Sequence, residues 1–339
     1  MRGTLNDAKP PEAAPRRNVI AAFAALYIIW GSTYLAIRYA VTTIPPFLMG
    51  GVRFLIAGSI LYGWSRLRGA EAPTRAHWRA ALVTGVLLLV GGNGAVIWSE
   101  QHVASGLVAL IVAIVPLWMV VFDWLRPGGT RPPPAVFVGL ALGLVGLTFL
   151  IGPDAIARHG PSPLDVRAAL VPVFGSMLWA LGSIFSRYAP RHASAQLATG
   201  MQMLAGGATF LVVSVSAAEP AHFRVAAISM PSLAGFLYLV TFGSLLGFTA
   251  YIYLLGATTA AKAATYAYVN PIVAVILGWA VAGEPFTPMM LVAAAIILAG
   301  VALITLARPG KTAKNEEVRL PREERGSPEL RETAERREA

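Results

Sequence analysis

Residues 30–40 read WGSTYLAIRYA, and residues 179–189 read WALGSIFSRYA. Trp, Arg, Tyr and Ala hold the same places in both stretches, 149 positions apart. The same offset pairs Gly51 with Gly200, Leu55 with Leu204 and Gly58 with Gly207. Further along the offset becomes 155, where Pro116 meets Pro271 and Trp124 meets Trp279. It is then 154 for Pro134 with Pro288 and Gly146 with Gly300. An offset this steady across several apolar segments marks an internal duplication rather than chance matching.

Composition says what was duplicated. Of 339 residues, 56% are hydrophobic and 13% charged, against about a quarter charged in a soluble domain. Mean hydropathy is +0.63. That is more apolar surface than a soluble fold can hide, so the bilayer is the natural solvent. Spanning a hydrocarbon core takes about 20 helical residues. Apolar segments of that order fall near 19–40, 46–65, 77–99, 103–125, 134–152, 168–187, 194–217, 232–255, 261–283 and 288–307. Breaks separate them at Pro45-Pro46, 66–69, 127–129, Gly160-Pro161 and Glu219-Pro220, and Pro309-Gly310 follows the last. Backbone groups in lipid must bond within their own segment, which makes each one a helix.

The expected fold class is therefore an all-α membrane protein of ten transmembrane helices. It is read as two five-helix repeats, 19–152 and 168–307, joined by an outer connection over 153–167. An odd number of spans per repeat forces the second copy to be inverted. The apolar run from Val19 to Ala40 is too long for a signal-peptide h-region and reads as the first span. Residues 1–18 and 308–339 are polar or densely charged and are expected to be disordered tails.

The net charge is +10 and the pI about 10.2. Here the basic residues are scattered over loops and tails rather than gathered in one groove, so nucleic acid is not an expected partner. They mark the cytoplasmic side instead. With the N-terminus inside, the inner loops hold nine: Arg66, Arg68, Arg75, Arg79, Arg126, Arg131, Arg187, Arg191 and Lys262. The outer connections hold four: Arg38, Arg158, Arg167 and Arg224. Both termini are thus expected in the cytoplasm, with Glu100, Asp154, Asp165, Glu219 and Glu284 on the outer side. There is no cysteine, which excludes disulfides and thiolate chemistry. His77, His102, His159, His192 and His222 fall in loops or at span ends without metal-ligand spacing, so no metal or cofactor is expected. A phosphate-binding G-x-x-x-x-G-K-[ST] loop is lacking, so transport would run on a gradient.

WGSTYLAIRYA, then PPFLMGGVRFLIAG (45–58), then AYVNPIVAVILGWAVAGEP (267–285) together resemble EamA-type transporters of the drug/metabolite transporter superfamily. Within it they look most like the YedA-like exporters. The resemblance covers about residues 19–307 and leaves out the charged tail after Arg308. It implies ten helices in two inverted repeats around a central substrate cavity. It also implies a bacterial inner-membrane exporter of amino acids, metabolites or drugs.

Ionisable groups at membrane depth are functional candidates by default. Arg53 sits about seven residues into span two, Glu100 at the outer end of span three and Arg38 at the outer end of span one. A shared outer layer would let Glu100 pair with Arg53 or Arg38, as a gate, a proton-linked switch or a static interfacial bridge. Trp30, Thr33, Tyr34 and Ile37 share one helix face by their spacing. Asn93 and Glu100 do so on span three, Trp179 and Ser183 on span six, and Tyr266 and Asn270 on span nine, while Tyr251 lies on span eight. Aromatic walls with a few amide and hydroxyl groups suit a small amphipathic ligand. The expected substrate contacts are therefore Trp30, Thr33, Tyr34, Asn93, Trp179, Ser183, Tyr251, Tyr266 and Asn270. Helix packing is the plain alternative for each. Pro116 and Asn270-Pro271 occupy matching places, and a proline removes one backbone donor. With Arg38, Arg53 and Glu100, Pro116 and Pro271 make the candidates for gating or coupling. Gly139-x-x-x-Gly143 and Gly243-x-x-x-Gly247 read as helix packing alone. A passive channel and a membrane-embedded enzyme are the competing classes. Acids and histidines are nearly lacking at membrane depth, which weighs against the enzyme.

Overall fold

The computed structural model describes residues 15–127, 129, 131–151, 166–190, 192–257 and 266–306. Of the expected tails and outer connection, only 15–18 and 166–167 are described. Asp154, Arg158, His159, Asp165, Arg191 and Lys262 lie outside the described residues.

Every regular element among the described residues is helical. The first half holds α1 (Arg16–Ala40), α2 (Pro46–Leu67), α3 (Arg75–Ser99), α4 (Ser105–Leu125) and α5 (Pro134–Ile151). The second holds α6 (Val166–Tyr188), α7 (Ala195–Ser216), α8 (230–257), α9 (Tyr266–Ala282) and α10 (Pro288–Leu306). Among the described residues seven helices are long and apolar enough to cross a membrane: α1 to α4, α6, α7, and α8 over Met230–Tyr251. Shorter apolar stretches, Pro134–Gly146, Val269–Ala282 and Pro288–Leu303, lie in α5, α9 and α10.

Local chemistry sets the boundaries. Pro46 opens α2 at its first turn, where the missing N–H has no partner to lose. Thr74 and His77 form a capping box at the start of α3. The turn after α9 passes through Gly283 at φ +63°, a left-handed backbone that glycine adopts without strain. α3 and α8 each carry a π-helical stretch, Gly85–Asn93 and Leu239–Leu246. The two matched prolines act differently. α4 is split into Ser105–Val112 and Val115–Leu125, with Pro116 in the first turn of the second piece. α9 runs on through Pro271.

The two halves meet reciprocally. A Cβ on Gly58 would lie 3.0 Å from the Gly200 carbonyl oxygen, and one on Gly200 would lie 3.2 Å from that of Gly58. Gly51 and Gly207 face one another's carbonyls in the same way, at 3.2 and 3.1 Å. Numbers that rise along α2 meet numbers that fall along α7, so these matched helices run antiparallel. α5 and α10 repeat the arrangement: Gly146 faces the Ala293 carbonyl, and Gly300 faces that of Gly139. The remaining contacts exchange as well. α1 packs on α8 and α9, while its counterpart α6 packs on α3 and α4. Such a pattern maps onto itself when the halves are swapped and one is inverted. Phe54 on Phe210, stacked with centroids 5.9 Å apart, fills the α2–α7 core. Ile60, Trp64, Phe174, Val212, Val215 and Trp279 point outward, as lipid-facing helices require.

Candidate functional site

Between the halves lies a cavity with about 920 Å³ of empty space, counting its open mouth. α1 offers it the expected face of Trp30, Thr33, Tyr34 and Ile37. Arg53 of α2, Gly92, Asn93 and Val96 of α3, and apolar residues of α4 line it as well. α6 adds Gly175, Ser176 and Trp179, α8 adds Gly243 and Phe248, and α9 adds Tyr266, Asn270 and Pro271. The glycine-crossed helices α5, α7 and α10 contribute no lining residue. They carry the frame, and the other seven carry the walls.

The π stretches explain how two large indoles fit. A π turn departs from the i→i−4 ladder, and any carbonyl it leaves unmatched must find a donor elsewhere. Trp30 Nε1 donates to the Gly243 carbonyl of α8 at 3.2 Å. A side chain at Gly247 would collide with the same indole. In the other half, a Cβ on Gly92 of α3 would lie 2.6 Å from the Trp179 ring. Each half's first helix thus seats its tryptophan on the third helix of the opposite half. Phe248, Tyr251 and Tyr266 surround Trp30, with ring centroids 5.2, 5.4 and 4.8 Å away. Aromatic pairs of this kind contribute about 0.5–1.5 kcal/mol each beyond their burial.

Two polar side chains on the wall are incompletely satisfied. Arg53 is 3% exposed, and its Nε donates to Ser244 Oγ at 2.9 Å. Its Nη1 has no hydrogen-bond partner among the described residues. Asn270 is 6% exposed, and its Oδ1 is likewise unpartnered.

The structure gathers Trp30, Thr33, Tyr34, Asn93, Trp179, Tyr266 and Asn270 around the cavity, together with Arg53 and Pro271. Ser183, Tyr251, Arg38, Glu100 and Pro116 lie off its lining. Ser183 Oγ turns back to donate to the Trp179 carbonyl at 2.8 Å. Tyr251 stands behind Trp30, against the rings of Trp30 and Tyr266. Glu100 caps the end of α3, and seven residues at about 1.5 Å each carry it well past Asn93.

The Arg38 ion pair is with Glu284 rather than with Glu100. Arg38 Nε lies 3.3 Å from Glu284 Oε1, while both Glu100 oxygens lack hydrogen-bond partners among the described residues. Glu284 is held at the start of α4, where Ser105 N, Ser105 Oγ and Gly106 N donate to it at 2.9, 2.8 and 3.1 Å. Those donors and the positive end of the helix dipole fix the carboxylate within reach of Arg38. Glu219 does the same for α2, accepting from Phe47 N at 3.1 Å and Leu48 N at 2.8 Å. Two acids of the second half therefore cap two helices of the first. The sequence carried one signal for this. Neither Pro45 nor Ala104, the residues preceding α2 and α4, supplies a side-chain cap. Gly243 and Gly247, read from sequence as packing alone, form part of the Trp30 seat.

An antiparallel duplicated helical frame, apolar outside and wrapped around a central cavity, is the architecture of a multi-pass membrane protein. The EamA-like transporter family matches residues 17–152 and again 167–306. The chain belongs to the EamA-like transporter family and is a membrane transporter. It is 37% identical over 294 residues to the "Uncharacterized inner membrane transporter YedA" of Escherichia coli, covering 86% of this chain and 91% of that one. It is 25% identical over 290 residues to the "Uncharacterized transporter YvbV" of Bacillus subtilis, covering 86% and 92%. A solved crystal structure at 20% identity shares the fold, with a TM-score of 0.58 over 86% of this chain and 99% of the other.

Proposed function

We propose that this chain is a secondary transporter of the bacterial inner membrane that exports small organic solutes, such as amino acids or drug-like amphiphiles, by alternating access. In this reading it crosses the bilayer ten times, with both termini in the cytoplasm. Drive comes from a gradient, of protons or of the solute itself. The observation that carries the proposal is a cavity walled by both halves of an antiparallel frame. Rocking one half against the other would turn such a cavity from one face to the other. The clasp of Arg38, Glu284 and the Ser105–Gly106 amides joins the halves at one face. It would have to part for the cavity to open there, which makes Arg38 and Glu284 the gate pair.

Counterflow in proteoliposomes tests this. Vesicles loaded with unlabelled amino acids and cationic drugs should accumulate labelled members of the same pool transiently. Trp30→Ala and Asn270→Ala should each reduce that accumulation by about tenfold or more, the effect of losing a buried aromatic anchor or a well-placed polar contact. Ser183→Ala should leave it within about twofold, since that hydroxyl bonds only to its own helix. Uptake that ignores the internal load and never overshoots would sink the carrier reading.

A further inference from the structure

We propose that Arg53 is the seat for a negatively charged group of the substrate, so that the cavity takes organic monocarboxylates. The carboxylate would rest on the guanidinium and the apolar body against the Trp30 wall. The inference rests on the reading of the cavity as the transport site.

A guanidinium stays charged in any protein environment, and a cation inside a membrane-spanning helix is costly unless something pairs with it. Arg53 is 3% exposed, lies within the apolar span Pro46–Leu67 and lines the cavity. Its contacts are neutral: the Ser244 hydroxyl at 2.9 Å and the Phe54 ring at 4.7 Å. Neither ion pair found among the described residues includes it. Its Nη1 has no partner there either. A buried donor left bare forfeits its full desolvation cost, so the position makes sense if a ligand supplies the acceptor.

The frame does not need this charge. At the offset of 149 that matches α2 to α7, Arg53 corresponds to Gln202. The two helices cross reciprocally, so one position bears a cation and its counterpart a neutral amide in equivalent frame positions. The charge belongs to the cavity side of one half alone. A single positive charge in a mainly apolar wall fits a single negative charge. A phosphate dianion would bring a second charge with nothing to pair it. Asn270, 6% exposed with its Oδ1 unpartnered among the described residues, lines the same cavity and offers a complementary acceptor for a donor group on the substrate.

Equilibrium dialysis with the purified protein and three probes tests the seat. 3-Phenylpropionate carries the carboxylate alone, L-phenylalanine carries carboxylate and ammonium, and phenethylamine carries ammonium alone. Both carboxylates should bind more tightly than phenethylamine. Arg53→Gln, which copies the residue at 202, should weaken both carboxylates by about ten- to a hundredfold, the loss of a charge-assisted contact. It should not weaken phenethylamine, whose ammonium is repelled by the same guanidinium, and Arg53→Lys should fall between. Asn270→Ala should weaken L-phenylalanine more than 3-phenylpropionate. A melting curve of each variant separates lost binding from lost folding. Three results would overturn the seat: carboxylate binding unchanged in a folded Arg53→Gln, no carboxylate binding at millimolar concentration, or tighter binding of phenethylamine. A fourth is recovery of carboxylate binding when Glu100→Gln is added to Arg53→Gln, which would make Arg53 the counterion of Glu100. Counterflow tells the two readings apart. Carboxylate binding without counterflow removes the transport reading and leaves the seat. Counterflow of carboxylates untouched by Arg53→Gln removes the seat and leaves transport.

Discussion

Glu284→Ala is expected to destabilise the folded protein by about 3 kcal/mol, because it strips three donors of their acceptor at once. Glu284 is 6% exposed, and it accepts from Ser105 N, Ser105 Oγ and Gly106 N. No side chain next to α4 can replace it, because Ala104 supplies no cap. Removal of a helix cap alone costs about 0.5–2 kcal/mol, and the stranded Ser105 hydroxyl adds to that. The ion pair is the smaller part. The Arg38 side chain is 38% exposed, and solvent screens such a pair to about 1 kcal/mol or less. Arg38→Ala should therefore cost far less than Glu284→Ala in an unfolding series carried out in detergent. Equal losses would mean that the ion pair, and not the helix terminus, carries the clasp.

Gly58→Leu should yield no folded protein, and Gly200→Leu should fail in the same way. A Cβ on Gly58 meets the Leu204 amide nitrogen at 2.9 Å, and one on Gly200 meets the Tyr62 amide nitrogen at 2.8 Å. These are backbone atoms of a packed helix, which cannot swing aside. Even Gly58→Ala should cost about 1–3 kcal/mol, the usual range for an overpacked core. Gly63 is the internal control. It lies on the same helix with nothing within 4 Å of its would-be Cβ, so Gly63→Ala should stabilise by about 0.5–1 kcal/mol. Size-exclusion profiles read the two Leu variants, and unfolding curves in detergent read the two Ala variants. A monodisperse Gly58→Leu would show that α2 and α7 do not cross at these glycines.

The duplication was legible because glycine, tryptophan and proline fell at steady offsets; the matched glycines and the Trp30–Trp179 pair stand at the crossings and seats of the folded chain, whereas Trp124 and Trp279 face outward. Which residue touches which was not legible. Gly51 matches Gly200 in sequence, yet in space Gly51 meets Gly207 and Gly58 meets Gly200. A repeat relates positions, whereas inversion pairs each one with its mirror. The α1 face of Trp30, Thr33, Tyr34 and Ile37 was readable because α1 is an uninterrupted α-helix. The seats for the two indoles were not, because the π stretches at Gly85–Asn93 and Leu239–Leu246 are apolar runs with no periodic mark of their own. Glu284 escaped notice for a different reason. Caps are sought beside the helix they serve, and this one arrives from 179 residues away.

Because each glycine crossing is built from both copies, a change in either one damages the same joint. The walls are under no such constraint. At the offset that matches Trp30 with Trp179, Thr33 stands opposite Gly182, Tyr34 opposite Ser183, and Arg53 opposite Gln202. New specificities can therefore arise by drift in one copy's walls while the joints are held by their own duplicates. A breeder of altered transporters would leave α2, α5, α7 and α10 at their crossings alone and draw variation from the cavity walls, the face of α1 first.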